Sequence, residues 1–411
     1  MKASTRHSVA TKRFLVLGIA ACACAAASLG ELPPRMRFDL DPPPATFPAD
    51  AYRTNGVETV FYESIPFKGR PTRVFAYYGV PKSADGRKVP GMVLIHGGGG
   101  SAFYRWVKFW NDKGYAAISM DTCGCVSGNV IGNEQRAHFR HEWGGPAGWG
   151  GFNTLDAPVE DQWCRHAMAA VIRGHSLLRS LPGVDPDRIG VTGVSWGGVL
   201  TCLVAGADPR FAFAAPVYGC GDFLGSAPAT EKTTPSVITH WNGLWNPSTA
   251  LKSAHMLVMW LVGTNDRFFS LPAVMSSYAS VPGDKALAIR VRMAHAHGKM
   301  SEEAPELLAL ADYYLRGGPA LPRLGDALLD NGTVSATCAA DPRMKPVRAF
   351  LDYTLDAPPG LWFARKWESA PATLAEGRVA ATLPSNAKAW YMSVETADGC
   401  RVSTPVAEAR P

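Results

Sequence analysis

The stretch Val191-Thr192-Gly193-Val194-Ser195-Trp196-Gly197-Gly198 sets a serine between two glycines at the end of a β-branched run. Residues 188–194 alternate in the manner of a buried strand, and residues 196–206 carry apolar side chains at helical spacing. A G-x-S-x-G pattern at such a junction places its serine on a turn so sharp that the residues two before and two after it need almost no side chain. The sequence therefore predicts a reactive serine at position 195.

Short apolar runs alternate with helical patterns on both sides of this junction. Two alternating strands are expected at 58–66 and 71–80, followed by apolar strands at 90–96, 115–120, 211–219 and 256–262 and a further strand at 288–293. Helices are expected at 101–114, 157–181 and 303–316. This alternation predicts an α/β fold with a doubly wound, mostly parallel sheet that is covered on both faces.

The composition and periodicity of the sequence change after Gly317. A linker rich in glycine and proline is followed, from about residue 328, by short alternating runs separated by turn residues, which is typical of a small β-sandwich. The expected organisation is a signal peptide at 1–27, an extended lead-in at 28–54, an α/β unit at 55–320 and a separate β-sandwich at 328–411. A chain of 411 residues is long enough for such an arrangement.

The first residues have the three-part order of a secretory signal. A basic stretch is followed by an apolar run at 14–21 and small residues at 23–28, so we expect export to the periplasm or medium. Cleavage after Ala27 and lipidation of Cys22 are both compatible with this segment. It also supplies four of the six excess positive charges, so no basic surface for nucleic acid is expected in the remaining chain.

Seven of the nine cysteines lie outside this segment. An exported protein can oxidise its cysteines, and we predict a disulfide between Cys338 and Cys400 in the C-terminal region. Cys123, Cys125 and Cys164 do not have the spacing of a zinc motif. We expect no metal and no organic cofactor.

A serine hydroxyl needs a base within hydrogen-bond reach and an acid that orients the base. Asp266 follows the strand at 256–262 and is the favoured acid. Asp222, after the strand at 211–219, is an alternative. Asp284 precedes its strand, and this position disfavours it.

Two histidines, His295 and His297, follow the strand predicted at 288–293. We favour His297 as the base because Gly298 lets the loop turn tightly and direct the imidazole back towards Ser195. His295 remains the alternative.

The strand predicted at 90–96 ends at His96 and is followed by four glycines at 97–100. Glycines in this position allow bare backbone N–H groups to approach the negative oxygen of a tetrahedral intermediate. The N–H group of Trp196, the residue after the serine, is the expected second donor.

The order HGGGG, GVSWGG, GTNDRFF and AHAHG resembles the α/β-hydrolase superfamily. Within it, DQWCRH at 161–166 and the run leading to the serine are similar to the secreted bacterial branch of acetyl xylan esterases, dienelactone hydrolases and prolyl-oligopeptidase-like catalytic domains. The resemblance covers about residues 55–320, and LDYTLD and ARKW resemble the small β-domain of that branch. It implies a triad of Ser195, Asp266 and His297, with Gly98 and Trp196 as oxyanion donors.

A long insert joins the strand at 115–120 to the next helix, at the sheet edge where ligands bind in open α/β folds. Its aromatic residues Trp143, Trp149 and Phe152 could form a platform for a sugar ring or an aromatic acyl group, or they could be a small core of the loop itself.

Three functions are compatible with these features. The first is a serine carboxylesterase acting on small or acetylated, possibly carbohydrate, esters. The second is a peptidase of the prolyl-oligopeptidase type, which is disfavoured because the stretch before residue 90 is too short for a β-propeller. The third is a non-catalytic carbohydrate-binding protein, which would not need serine, acid and histidine in this order.

Overall fold

The computed structural model describes residues 31–54, 56–83, 85–127, 138–148, 151–222, 233–293, 295–356 and 361–409. The predicted signal peptide and Cys22 lie outside these residues. No helix in the described ranges is both long enough and apolar enough to cross a membrane.

The first eleven strands precede residue 300. They are β1 (Thr46–Pro48), β2 (Glu58–Phe67), β3 (Arg70–Gly79), β4 (Val89–Ile95), β5 (Ala116–Met120), β6 (Cys125–Ser127), β7 (His138–Arg140), β8 (Val184–Val194), β9 (Phe213–Val217), β10 (Leu257–Gly263) and β11 (Lys285–Arg290). The helices are α1 (Tyr104–Asp112), α2 (Trp163–Ser180), α3 (Trp196–Ala207), α4 (Pro235–Trp245), α5 (Pro247–Leu251), α6 (Leu271–Ser280) and α7 (Pro305–Arg316).

The central sheet has the strand order β1-β2-β3-β5-β4-β8-β9-β10-β11 before it continues into the C-terminal region. The strands from β5 to β11 in this order run parallel, whereas β1, β2 and β3 are antiparallel. Every residue of β4, β5, β9 and β10 is buried, as expected for strands covered on both faces. The predicted α/β-hydrolase fold is confirmed.

The lead-in contributes to this sheet, because β1 pairs with β2 at its edge. The long insert after β5 begins with a hairpin of β6 and β7. The segment 233–248 forms α4 and the start of α5, which the sequence patterns had not revealed.

The C-terminal strands form two layers. They are β12 (Arg323–Leu324), β13 (Leu328–Asp330), β14 (Thr333–Ala339), β15 (Pro346–Thr354), β16 (Trp367–Pro371), β17 (Thr373–Ala375), β18 (Arg378–Thr382), β19 (Ala389–Thr396), β20 (Arg401–Ser403) and β21 (Ala407–Glu408). One layer has the order β12-β14-β18-β17, with β13 beside β14, and the other contains β20, β19, β15, β16 and β21.

The second of these layers continues the central sheet, which the sequence patterns had not revealed. Strand β20 pairs antiparallel with β11, where Leu287 is opposite Ser403, and the N–H group of Ile289 donates to Oγ of Ser403 at 3.0 Å. An uncovered β11 would leave a row of unpaired backbone groups at the edge of the sheet. The β-sandwich and the α/β unit therefore share one sheet.

The predicted disulfide between Cys338 and Cys400 is wrong. Cys338 and Cys400 are both buried free thiols. Cys338 belongs to β14 in one layer, whereas Cys400 precedes β20 in the other, and its N–H group is bonded to Oγ1 of Thr396 at 3.2 Å. Each cysteine packs in its own layer as a small apolar side chain.

Candidate active site

Ser195 lies on a strained turn between β8 and α3. Its backbone has φ 61° and ψ −119°, a conformation that a non-glycine residue rarely adopts. A Cβ atom on Gly193 would lie 2.3 Å from the carbonyl oxygen of Gly197, and one on Gly197 would lie 2.0 Å from that of Ile95. The two glycines are required because the turn brings backbone against backbone, and the turn exposes the hydroxyl at the start of a helix.

A chain of hydrogen bonds links Ser195 to a histidine and a buried acid. The Oγ atom of Ser195 is 2.9 Å from Nε2 of His295, and Nδ1 of His295 is 2.7 Å from Oδ2 of Asp266. Oδ1 of Asp266 accepts the N–H groups of Phe268 and Phe269 at 2.7 and 3.0 Å. The acid is thus held rigidly, and it fixes the tautomer in which His295 presents a lone pair to the serine.

The prediction that His297 occupies this position is therefore wrong. Strand β11 ends at Arg290, earlier than its apolar pattern indicated, so the loop is longer and brings His295 between Ser195 and Asp266. Nδ1 of His297 contacts Oε1 of Glu302 instead, at 2.6 Å. Glu302 was missed by sequence reasoning, and an acid five residues after the histidine is too weak a signal to find it.

The alternative acids are engaged elsewhere. Asp222 accepts hydrogen bonds from Nδ2 of Asn246 at 2.6 Å and from Oγ of Ser248 at 2.9 Å. Asp284 is paired on the surface with Arg323 at 3.1 Å. Of the three candidates, Asp266 alone contacts a histidine beside Ser195.

The glycine loop, residues 97–100 after β4, lies against Ser195. A Cβ atom on Gly97 would lie 3.2 Å from Cβ of Ser195, so the backbone of this loop approaches this side chain closely. Gly98 is the next residue and is half-buried, and Trp196 is the first residue of α3. The backbone dipoles at the start of α3 favour negative charge at this point. That Gly98 and Trp196 donate to an oxyanion stays a prediction.

Aromatic rings hold the imidazole of His295. Tyr218, Phe268 and Phe269 lie with ring centroids 4.6, 4.8 and 5.8 Å from it. Tyr218 is buried, and burial raises the pKa of its hydroxyl to about 12, so this ring stays neutral. The three rings thus pack around the imidazole of His295.

The structure separates the predicted aromatic platform. The guanidinium group of Arg73 lies over the rings of Trp143 and Phe47, with its carbon 4.2 and 3.6 Å from their centroids. Phe152 instead packs against Trp196 and Trp241, with centroids 5.5 and 5.9 Å apart. Trp149 lies outside the described residues. Phe152 is thus the predicted platform residue that the structure places beside the turn at Ser195.

A buried polar cluster lies between the glycine loop and the loop that follows β5. His96, Asp121 and Cys123 present polar atoms within 4.8 Å of one another. Nε2 of His96 already accepts the N–H group of Thr122 at 3.0 Å, and Oδ2 of Asp121 accepts the N–H groups of Cys123 and Cys125, both at 2.8 Å. Burial raises the pKa of Asp121 to about 7. These bonds tie the loop after β5 to the glycine loop.

Two protein-family models match parts of this chain that contain residues of the site. The model of the acetyl xylan esterase family, AXE1, matches residues 45–225, and that of the prolyl oligopeptidase family matches residues 155–304. Both ranges include Ser195. The first includes the glycine loop, and the second includes Asp266, His295 and Glu302.

Curated relatives share part of this chain. A probable dipeptidyl-peptidase 5 of Aspergillus clavatus is 28% identical over 170 residues, which cover 40% of this chain and 20% of the relative. A protein of the same name from Aspergillus terreus is 25% identical over 223 residues, covering 50% and 28%. The chain therefore spans less than a third of the length of these relatives.

Among solved structures, an acetyl xylan esterase from Paenibacillus sp. R4 is similar in fold. It superposes with a TM-score of 0.50 at 20% identity, covering 66% of this chain and 88% of that enzyme.

Proposed function

Since this chain is a member of the α/β-hydrolase superfamily and a serine hydrolase of the esterase or peptidase type, we propose that it is a carboxylesterase that removes small acyl groups, such as acetate, from carbohydrate esters. The observation that carries the proposal is the hydrogen-bonded series of Ser195, His295 and Asp266 at the end of the parallel sheet. The match of residues 45–225 to the acetyl xylan esterase family favours an ester substrate.

The reaction would proceed through an acyl-enzyme. Oγ of Ser195 attacks the ester carbonyl while Nε2 of His295 takes its proton, and the carboxylate of Asp266 stabilises the resulting imidazolium. The imidazolium then gives this proton to the departing alcohol. Water attacks the acyl-enzyme in the second half, with His295 again accepting and returning the proton, so that the acid and free Ser195 are released.

The negative oxygen formed in each half-reaction needs hydrogen-bond donors that are already in place. The glycine loop lies close to Ser195, and Trp196 is the first residue of α3. We assign the role of hydrogen-bond donor to the backbone N–H groups of Gly98 and Trp196. Each such donor contributes about 2.7–4 kcal/mol to lowering the barrier.

The test compares the rates at which the protein hydrolyses ester substrates and amide substrates. We expect the protein to hydrolyse 4-nitrophenyl acetate and acetylated xylosides and to be far slower with aminoacyl 4-nitroanilides. Ser195→Ala should lower esterase activity by about 10⁴-fold or more and abolish labelling by a fluorophosphonate probe. Esterase activity that persists in this variant would place the nucleophile elsewhere.

The similarity to probable dipeptidyl-peptidases supports peptide hydrolysis as a second candidate. The same triad would serve it, because a protonated His295 can also give its proton to a departing amine. Faster cleavage of a dipeptidyl 4-nitroanilide than of any acetate ester would favour this candidate over the esterase.

A further inference from the structure

A second imidazole approaches Ser195 beside the glycine loop. A Cβ atom built on Gly97 would lie 3.1 Å from Nε2 of His297 and 3.2 Å from Cβ of Ser195, so both side chains reach the same point of this loop. The side chain of His297 is 25% exposed. The triad described above does not use it.

The carboxyl group of Glu302 engages one of the two nitrogens of this ring. Nδ1 of His297 is 2.6 Å from Oε1 of Glu302. A carboxylate oxygen accepts hydrogen bonds, so in the neutral form of the ring Nδ1 carries the proton and Nε2 presents a lone pair. No group in the described part of the chain forms a hydrogen bond with Nε2 of His297.

The loop around His297 is held in place on several sides. Oγ of Ser301 lies 2.8 Å from the carbonyl oxygen of Ala296 and 3.0 Å from that of Gly298. The N–H group of Glu302 donates to Gly298 at 2.8 Å, and Phe103 packs edge-on against the imidazole with centroids 5.5 Å apart. A fixed acceptor at the rim of a reactive site loses little entropy when it binds a donor.

We propose that His297, positioned by Glu302, binds a free hydroxyl group of the alcohol part of the substrate. The inference rests on the proposed esterase function and specifies its substrates as carbohydrate esters in which a free hydroxyl group lies close to the ester that is cleaved. A site built to bond a hydroxyl group discriminates against analogues without one, because its polar atom is then left unpaired.

Two acetates with similar leaving groups isolate this contact. A monoacetylated methyl xylopyranoside carries free hydroxyl groups on a six-membered ring, and cyclohexyl acetate has a ring of the same size without them. Release of acetate from each gives the ratio of the two kcat/KM values. A loss of folding or of general catalysis lowers both values, whereas loss of the hydroxyl contact lowers their ratio.

We expect His297→Leu to lower this ratio by about 10-fold or more, since one hydrogen bond worth about 1.4 kcal/mol corresponds to a factor of ten. His297→Gln places an amide oxygen near the position of Nε2 and should retain most of the ratio. Glu302→Gln should lower the ratio by a smaller factor, and Glu303→Gln, which changes the adjacent exposed carboxylate, should leave it as it is. Fluorophosphonate labelling of Ser195 reports that each variant is folded.

Two results would overturn the inference. If His297→Leu and His297→Gln reduce hydrolysis of both acetates equally, the residue does not bind a substrate hydroxyl group. If the wild-type protein hydrolyses neither acetate but cleaves a dipeptidyl 4-nitroanilide, the proposed esterase function fails and this inference fails with it.

Discussion

His295 and His297 are separated by one alanine, and their hydrogen-bond partners give them different chemistry. His295 lies between Oγ of Ser195 and the carboxylate of Asp266, so it can accept the proton of the serine. His297 is bonded to Glu302 and approaches Gly97. A histidine next to a serine is a base only if its lone pair points at the hydroxyl group.

We predict that His295→Ala lowers esterase activity nearly as much as Ser195→Ala, because the members of a triad act as a unit. Asp266→Asn should also be severe, since an amide cannot hold His295 in the same tautomer and stabilise its charge. Steady-state kinetics on 4-nitrophenyl acetate provides the measurement. Activity of His295→Ala close to the wild-type value, with His297→Ala inactive, would reverse the assignment.

A second prediction concerns the buried carboxyl group of Asp121. Its pKa is raised by burial from an ordinary value of 3.8 to about 7, so the folded state binds its proton more tightly than the unfolded state. The corresponding stability is fully present below pH 4 and is lost as the pH rises to about 7. Asp121→Asn, which cannot ionise, should therefore show a smaller fall in Tm between pH 5 and pH 8 than the wild type.

The exposed Asp330→Asn is the matched control for this variant, since Asp330 lies at the surface in β13. It should leave the pH dependence of Tm unchanged. An equal fall in Tm for Asp121→Asn and the wild type would show that the carboxyl group of Asp121 is already ionised at pH 5.

The junction of β8 and α3 shows how one element depends on glycine for packing rather than for flexibility. Gly197 has no room for a side chain because the carbonyl oxygen of Ile95, the last residue of β4, lies where its Cβ atom would be. The close approach of α3 to β4 brings the serine against the glycine loop. The turn at Ser195 and the glycine loop therefore form a single packing unit.

We predict that Gly197→Ala lowers the free energy of unfolding by about 3 kcal/mol or more, because the 2.0 Å contact with backbone requires β4 and α3 to separate. Gly243→Ala is the control. Gly243 is an exposed helical residue of α4 with nothing within 4 Å of an added Cβ atom, so alanine should stabilise the protein by about 0.5–1 kcal/mol. Urea denaturation followed by tryptophan fluorescence gives both values.

Across the molecule, one sheet joins the reactive site to the C-terminal strands. Besides the pairing of β11 with β20, the buried carboxylate of Glu306 accepts a hydrogen bond from Arg290 of β11 and one from the N–H group of Arg401 at 2.7 Å. Nη2 of Arg290 also donates to the carbonyl oxygen of Gly399 at 2.9 Å. The strand that precedes His295 is thus covered and fixed by the last residues of the chain.

We therefore predict a single cooperative transition in calorimetric unfolding, with equal calorimetric and van't Hoff enthalpies. Reducing agents should not shift it, because Cys338 and Cys400 are free thiols. A second transition at lower temperature that leaves 4-nitrophenyl acetate hydrolysis intact would show that the C-terminal strands unfold independently.

The fold and two members of the candidate site follow from local patterns in the sequence. The bounds of β4, β8, β10 and α3 agree with the apolar periodicity to within a few residues, because burial on both faces requires continuous apolar runs. Gly193 and Gly197 mark the turn at Ser195, and Asp266 follows a strand whose end is well defined. These features depend on neighbours in the chain, so composition and spacing are enough to reveal them.

The remaining features depend on contacts between distant parts of the chain. The choice of His295 over His297 follows from the early end of β11 and from Ser301, whose bonds to Ala296 and Gly298 set the path of the loop. The pairing of β20 with β11 joins residues more than a hundred positions apart. The residue pattern of a strand does not indicate which other strand it pairs with. Side-chain direction and strand pairing are set by packing in three dimensions, which is why periodicity could not supply them.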